Sequence, residues 1–319
     1  MASFNLAYDR VLAPSRLSLG LMTPLARQLG TMADPALERL AAIRADDHGF
    51  AALWTRDVPL MVPQGTELET AALDDPFVWL ATFAAATKRV ALGTAAAVLP
   101  LRHPLHLAKS ALSLDRLSGG RFILGVGSGD REAEFAAFGQ EAAQREALFR
   151  KHWALLRAAL SPEAVERRLL LDATGGYDVA AVTAKRIPML VVGSARQTLQ
   201  WIARNADGWA SYHRDEARQQ GRIGLWQSAL AERAESQQKP FVQSLHLDLL
   251  EDADAPAQPI ELGMRTGRKA LVGYLARLEA MGVRHVLLHL ARGPRSVLDI
   301  IDELGLDVLP SFLSKPVAA

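Results

Sequence analysis

Short apolar runs alternate with amphipathic helical patterns eight times along this chain, and that rhythm limits the folds open to it. The apolar runs cover 16–21, 50–55, 90–98, 121–126, 187–192, 208–212, 240–249 and 283–290. Helical periodicity follows each one, over about 35–48, 76–87, 103–117, 143–160, 194–205, 215–237, 267–281 and from near Pro294. Asp34-Pro35 and Asp75-Pro76 each set a capping acid before a proline at the first helical position, and His103-Pro104 has the same form. Gly49 and Gly282 stand where two helices should stop. Strict alternation of this kind calls for parallel strands joined by helical crossovers. Eight such units close a (β/α)8 barrel of TIM type, the α/β fold expected here as a single domain over 1–319. An open doubly wound sheet has the same local pattern and is the structural alternative.

Some stretches are less regular. Residues 1–15 read as an irregular lead-in, and a loop with Pro63 and Gly65 follows the second strand. Residues 161–187 read as an excursion or hairpin before the fifth strand, residues 252–259 as a turn-rich loop, and the tail runs to Pro316.

Composition narrows the function. With 50% hydrophobic and 22% charged residues the chain suits a globular protein with a large core, and its net charge of +1 gives no footprint for nucleic acid or an anionic membrane. It has no cysteine, which removes disulfides, thiol nucleophiles and Cys-ligated metals. The opening MASFNLAYDR has no apolar core for a signal peptide, and no run approaches about 20 apolar residues, so a cytoplasmic location is expected. The eight histidines form no i, i+4 ligand pair on one helix with an acid partner, so no metal is expected.

In a barrel, chemistry sits at the C-terminal ends of the strands. Those ends supply Met22; Arg56 and Asp57; Thr94, Ala95 and Ala96; Gly127, Ser128 and Asp130; Gly193 and Ser194; Trp209, Tyr212 and His213; 246–248; and His289. The third, fourth and fifth strands end in small residues, where a flat ligand can approach the backbone. At Gly193-Ser194 a helix is expected to begin at once, with Ser194 as N-cap and free N–H groups through Gln197 to hold a phosphate; Arg196 could add charge. Gly125-Val126-Gly127-Ser128-Gly129 lacks the dinucleotide spacing and has no acid at the right distance.

Four pieces in order, LGTAAAVLPLRHP at 92–104, LDRLSGGRF at 114–122, GVGSG at 125–129 and EFxxFG at 134–139, make the chain similar to the bacterial luciferase-like monooxygenase superfamily. Gly193-Ser194, ARNADGW at 203–209 and the GVxHV strand at 282–286 extend the likeness over nearly the whole chain. The resemblance implies a (β/α)8 barrel with a flavin over its mouth, FMN used in reduced form with dioxygen, or the deazaflavin F420 in some relatives. It places a non-proline cis peptide at Ala95-Ala96, with Thr94 beside it, a phosphate loop at Gly193, Ser194 and Gln197, and flavin contacts at Ser128, Asp130 and Trp209. It places an acid that contacts the flavin at Asp57 and an arginine near the phosphate at Arg145. The luciferases carry a catalytic histidine after that acid; here it is Val58, which cannot transfer a proton. Asp57 and His213 are therefore the acid–base candidates, with His289 as a substitute, and Arg56 and Arg265 could meet an anionic substrate. The implied activity is a monooxygenase acting on a small organic molecule, fed by a separate flavin reductase and forming a homodimer. F420-dependent hydride transfer and a non-catalytic flavin-binding barrel are the alternatives.

Overall fold

The computed structural model of the chain describes residues 3–12, 16–25, 32–62, 73–180, 184–232, 239–290 and 293–312. Pro63, Gly65 and Pro316 lie outside the described residues. A short helix, α1 (Leu6–Val11), precedes β1 (Ser18–Thr23); α2 (Pro35–His48) leads to β2 (Ala52–Thr55), and α3 (Pro76–Ala86) to β3 (Ala91–Thr94). A two-residue continuation, β4 (Ala97–Val98), is followed by α4 (Pro104–Leu117), β5 (Phe122–Gly127), α5 (Glu132–Ala137), α6 (Arg145–Leu160) and α7 (Arg168–Thr174). Then come β6 (Met189–Val192), α8 (Leu199–Asn205), β7 (Gly208–Ser211), α9 (Glu216–Ala231) and β8 (Phe241–Leu249). The chain goes on through β9 (Gln258–Ile260), β10 (Gly263–Thr266), α10 (Arg268–Met281), β11 (Val283–His289) and α11 (Val297–Glu303).

The strands β1, β2, β3, β5, β6, β7, β8 and β11 pair side by side in parallel, and β11 pairs with both β8 and β1, so the sheet closes. This is the eight-stave barrel that the alternation predicts, and the open-sheet alternative is excluded by that closure. The expected caps form as well. Asp34 accepts from the Ala36 N–H, Asp75 from Phe77 and Val78, and His103 from Leu105. Arg121, buried in the LSGGRF motif, donates to the carbonyls of Ala84 and Thr87 and so closes the C-terminal end of α3.

Alternation along the staves separates two cores. Met22, Ala52, Trp54, Ala91, Ile123, Leu190, Ala210, Val242 and Leu287 pack inside the barrel. Their neighbours in sequence, such as Leu21, Leu53, Leu92, Leu124, Val191, Trp209, Phe241 and Leu288, pack outward under the helices. The indole of Trp54 fills the interior where Gly93 has no side chain: a Cβ there would sit 2.3 Å from the ring. Trp54 Nε1 donates to His285 Nε2 at 2.9 Å, so His285 carries its proton on Nδ1, 2.7 Å from Ser18 Oγ. Ser18 Oγ in turn donates to the Val11 carbonyl. Burial pulls the His285 imidazole down to about 3, and it stays neutral.

Three expectations need correction. The lead-in is partly helical: Asn5 caps α1, and Ala7, Val11 and Leu12 join the inner core as a plug. Asn5 also donates to Asp115 and to the Phe122 carbonyl, long-range bonds that no local pattern announces. The 161–187 excursion contains α7, stopped by left-handed Gly175, and no hairpin among the described residues. The 252–259 loop leads into the hairpin β9–β10, and β10 adds in parallel to β8.

Candidate active site

The barrel ends that matter lie after β2, β3, β5 and β6. β3 pairs with β5 only through Leu92 and Gly93. Beyond them the ladder opens, and Thr94 fills the gap with its side chain. Its Oγ1 donates to the Gly125 carbonyl at 2.7 Å and accepts from the Gly125 N–H at 3.1 Å. A Cβ on Gly125 would lie 2.0 Å from the Thr94 carbonyl oxygen, so this close approach requires the glycine. That is the physical content of GVGSG, and it is a packing device. Pairing resumes at Ala97–Val98 against Val126–Gly127. Between the two stretches the Ala95-Ala96 peptide is cis, as the resemblance implied, and both alanines are partly exposed on a strand otherwise buried.

Asp57 stands beside this turn, 4% exposed. Its N–H donates to the Ala96 carbonyl at 3.3 Å, and its Oδ2 accepts from the Val98 N–H at 3.0 Å. Arg102 engages both carboxylate oxygens, at 2.7 and 2.8 Å. Each Asp57 oxygen is therefore already in a charge-assisted bond, an arrangement suited to holding the turn. Val58, next in sequence, is buried.

Ser128 is buried after β5, and Gly129 takes a positive φ of 76°. Asp130 is exposed and pairs loosely with Arg131 at 3.5 Å. Glu134 of α5 is fully buried; desolvation pushes its carboxyl above the usual range, and Oε1 accepts from the Leu60 N–H at 3.4 Å.

At the end of β6 the geometry departs from the sequence reading. The helix does not begin at Ser194. Gly193, Ala195 and Arg196 all take left-handed φ, at 68°, 46° and 59°, and Thr198 caps α8. Ser194 instead accepts from Arg196 N–H on its Oγ and from Gln197 N–H on its carbonyl. Gln197 is held by Arg150, whose Nε donates to Oε1 at 2.5 Å. Arg145, at the first residue of α6, has no such bond among the described residues; the arginine that reaches this loop lies five residues further on. The i, i+4 pair Glu146–Arg150 was the available signal. A Cβ on Gly193 would meet nothing within 4 Å, so the loop is open on that side.

Two candidate side chains point away from the mouth. Trp209 alternates with inward Ala210 and lies against Trp226 and Phe241; its Nε1 donates to the Gly193 carbonyl at 2.7 Å, bracing the loop from behind. His213 sits beside the outward-facing Gln243 and Tyr274 of α10, with Tyr274 Oη 3.0 Å from Nδ1. Burial lowers its pKa. Besides His285 deeper in the barrel, the inward face carries His246 and His289, paired in register on β8 and β11 with ring centroids 4.7 Å apart. Arg265 is ion-paired with buried Asp248 at 2.6 Å, and Arg56 is half-buried at the end of β2. Among the described residues no group of three or more His, Cys, Asp or Glu could hold a metal ion.

A closed parallel barrel with a small-residue turn at its third stave and a left-handed loop at its fifth places the chain in the (β/α)8-barrel class, with its candidate site at the C-terminal ends of the strands. The family model described as luciferase-like monooxygenase matches residues 17–283, and the chain belongs to that family of enzymes. An uncharacterised protein of Mycobacterium tuberculosis is 35% identical over 190 residues, 55% of this chain and 67% of that one. An alkanal monooxygenase alpha chain of Photorhabdus luminescens is 28% identical over 162 residues, 50% of this chain and 43% of that one. Solved structures share the fold. A monooxygenase from Streptomyces bottropensis superposes with a TM-score of 0.73 at 17% identity, covering 92% of this chain and 99% of that one. An F420-dependent secondary alcohol dehydrogenase gives 0.71 at 16%, covering 94% and 100%. The oxygenating constituent of a 3,6-diketocamphane monooxygenase of Pseudomonas putida, in complex with FMN, gives 0.69 at 15%, covering 94% and 100%. No helix among the described residues is long and apolar enough to cross a membrane.

Proposed function

We propose that this protein is a monooxygenase using reduced FMN and dioxygen on a small organic substrate. The observation that carries the reading is the uncovered strip of small residues at the mouth. Ala95 and Ala96 are partly exposed, and the space beside Gly193 is open, so a flat ring can lie on backbone there. That strip fits a flavin. Ala95, Ala96, Ser128 and Asp130 would flank the ring, with Thr94 buried behind them in the ladder, and Gly193, Ser194 and Gln197 would receive the phosphate, with Arg150 holding Gln197 in place. When bound, reduced flavin supplies the electrons that activate dioxygen, chemistry no side chain of this chain provides.

The protein's part is positioning and exclusion of water. Asp57 holds the alanine turn rather than moving a proton. Val58 buries a methyl-bearing surface where a histidine would compete for hydrogen bonds. Proton transfer falls to the inward imidazoles, His289 and His246, which border the half of the mouth left for substrate. Trp209 and His213 act from outside the barrel, on the loop and helix packing. FMN is favoured over F420 because the relatives matched in sequence include monooxygenases, alkanal monooxygenase among them. Reduced flavin would come from a separate reductase, the protein would work in the cytoplasm, and a homodimer is expected.

Titration of the apo-protein with FMN and F420, oxidised and reduced, under nitrogen and then with oxygen admitted, tests this. Tight reduced FMN with oxygen-dependent changes in its absorbance supports the proposal. Tight F420 with indifferent FMN replaces it with hydride transfer, and flavin that binds without being consumed replaces it with a carrier.

A further inference from the structure

One guanidinium, from a residue between the short 3-10 turn Leu99–Leu101 and α4, gathers the elements around the alanine turn. Arg102 grips Asp57 with Nε and Nη2 at 2.7 and 2.8 Å, and the same Nη2 reaches Asp75 Oδ2 at 2.8 Å. Asp57 opens the connection from β2 to α3, and Asp75 closes it as the N-cap of α3. The guanidinium carbon also lies 5.5 Å from the centre of the Phe77 ring. Burial alone would lower the Arg102 pKa, but its bonds and charge contacts with Asp57 and Asp75 outweigh that and raise it. Asp57 then passes the constraint on, through its bonds to Val98 N–H and the Ala96 carbonyl.

We propose that Arg102 is a positioning residue of the flavin site, setting the 95–98 turn through Asp57 while tying α3 to it through Asp75. The inference rests on the flavin reading above. Its physical basis is the planar fork. A bidentate arginine–carboxylate pair fixes direction as well as distance, and a lysine cannot reproduce it. The Asp57 arm is the strong one, since that carboxylate is buried and would be left unpaired without Arg102. The Asp75 arm is partly solvated and weaker.

Arg102→Gln, Arg102→Lys and Asp75→Asn test it, with three readouts. These are amide hydrogen exchange at Asp57 and Val98 in the apo-protein, the Kd for oxidised FMN by fluorescence quenching, and the visible circular dichroism of bound FMN. Arg102→Gln should speed exchange at both amides and weaken FMN by about tenfold or more, with an altered dichroic band, because a displaced platform misplaces the ring. Arg102→Lys should fall between it and the wild type, and Asp75→Asn should change the Kd by less than about threefold. Unchanged exchange in a folded Arg102→Gln protein overturns the clamp, whatever binds. Faster exchange with an unchanged Kd and dichroism overturns its role in the site. If the wild type binds neither FMN nor F420, the flavin reading falls and this proposal's flavin clause with it, while exchange still decides whether Arg102 sets the turn. Should Arg102→Gln fail to fold, Arg102→Lys is judged by the same criteria.

Discussion

The closed end and the open end of this barrel are built from the same small residues put to opposite uses. At the closed end Gly20 and Gly93 make room for other side chains: a Cβ on Gly20 would sit 2.7 Å from His285 Nε2, and one on Gly93 would collide with Trp54. The hydrogen bonds that link Trp54, His285, Ser18 and Val11 run from one protein group to the next. At the open end Ala95 and Ala96 stay partly exposed, and among the described residues nothing lies within 4 Å of a Cβ placed on Gly193. A glycine or alanine at a strand end thus signals ligand approach only where no neighbouring side chain claims the space. Below the mouth it signals packing.

Breaking the comparison starts with Gly125, which lies on the boundary. Gly125→Ala forces a methyl into the Thr94 carbonyl, and unfolding in urea should show a loss of about 3 kcal/mol or more. The second test separates the ends by pH. His285 has a folded value of about 3, below its unfolded one near 6.5. Its neutral form is the one the fold accepts, so its contribution is whole above about 6.5 and drains away as pH falls toward 3. Relative to His285→Asn, the wild type should lose stability more steeply over that window, by up to about 1.4 kcal/mol per pH unit. Next, Trp209→Phe removes the brace on the Gly193 carbonyl and should cost about 1 kcal/mol in the same assay. Smallest in stability is Ala96→Leu at the uncovered turn. It should shift unfolding by about 0.5 kcal/mol or less yet abolish measurable binding of oxidised FMN in a quenching titration. A stability loss there as large as that of Gly125→Ala would show that the turn is packed, and the contrast between the two ends would collapse.

Much of this was legible in the order of residues. The eight staves follow from short apolar runs between helical patterns, and three helix starts follow from Asp34, Asp75 and His103 each preceding a proline. Trp209 and His213 could also have been placed, since they share parity with Ser211, and Ala210 between them faces inward. Other features could not be read locally. Ala195 and Arg196 adopt left-handed backbone that neither residue type favours, so the delayed start of α8 has no local signal. The plug depends on Asn5 reaching Asp115, 110 residues away, and the hold on Asp57 on an arginine 45 residues on. The likeness to luciferase-type proteins located the mouth, but which side chains brace it came only from packing.

The seam where β11 meets β1 also has a meaning in time. Ser18 and His285 are 267 positions apart, and the bond between them joins the first stave to the last. At ribosomal speeds of about 5–20 residues per second, roughly 15–50 seconds separate the synthesis of those two residues. Throughout that interval one edge of β1 has no strand to pair with, and the apolar side chains of Leu19 and Leu21 wait with it. The nascent chain therefore passes through an unclosed sheet whose open edge is a site for chaperone capture or for self-association, and the arrival of a single histidine-bearing strand ends that exposure.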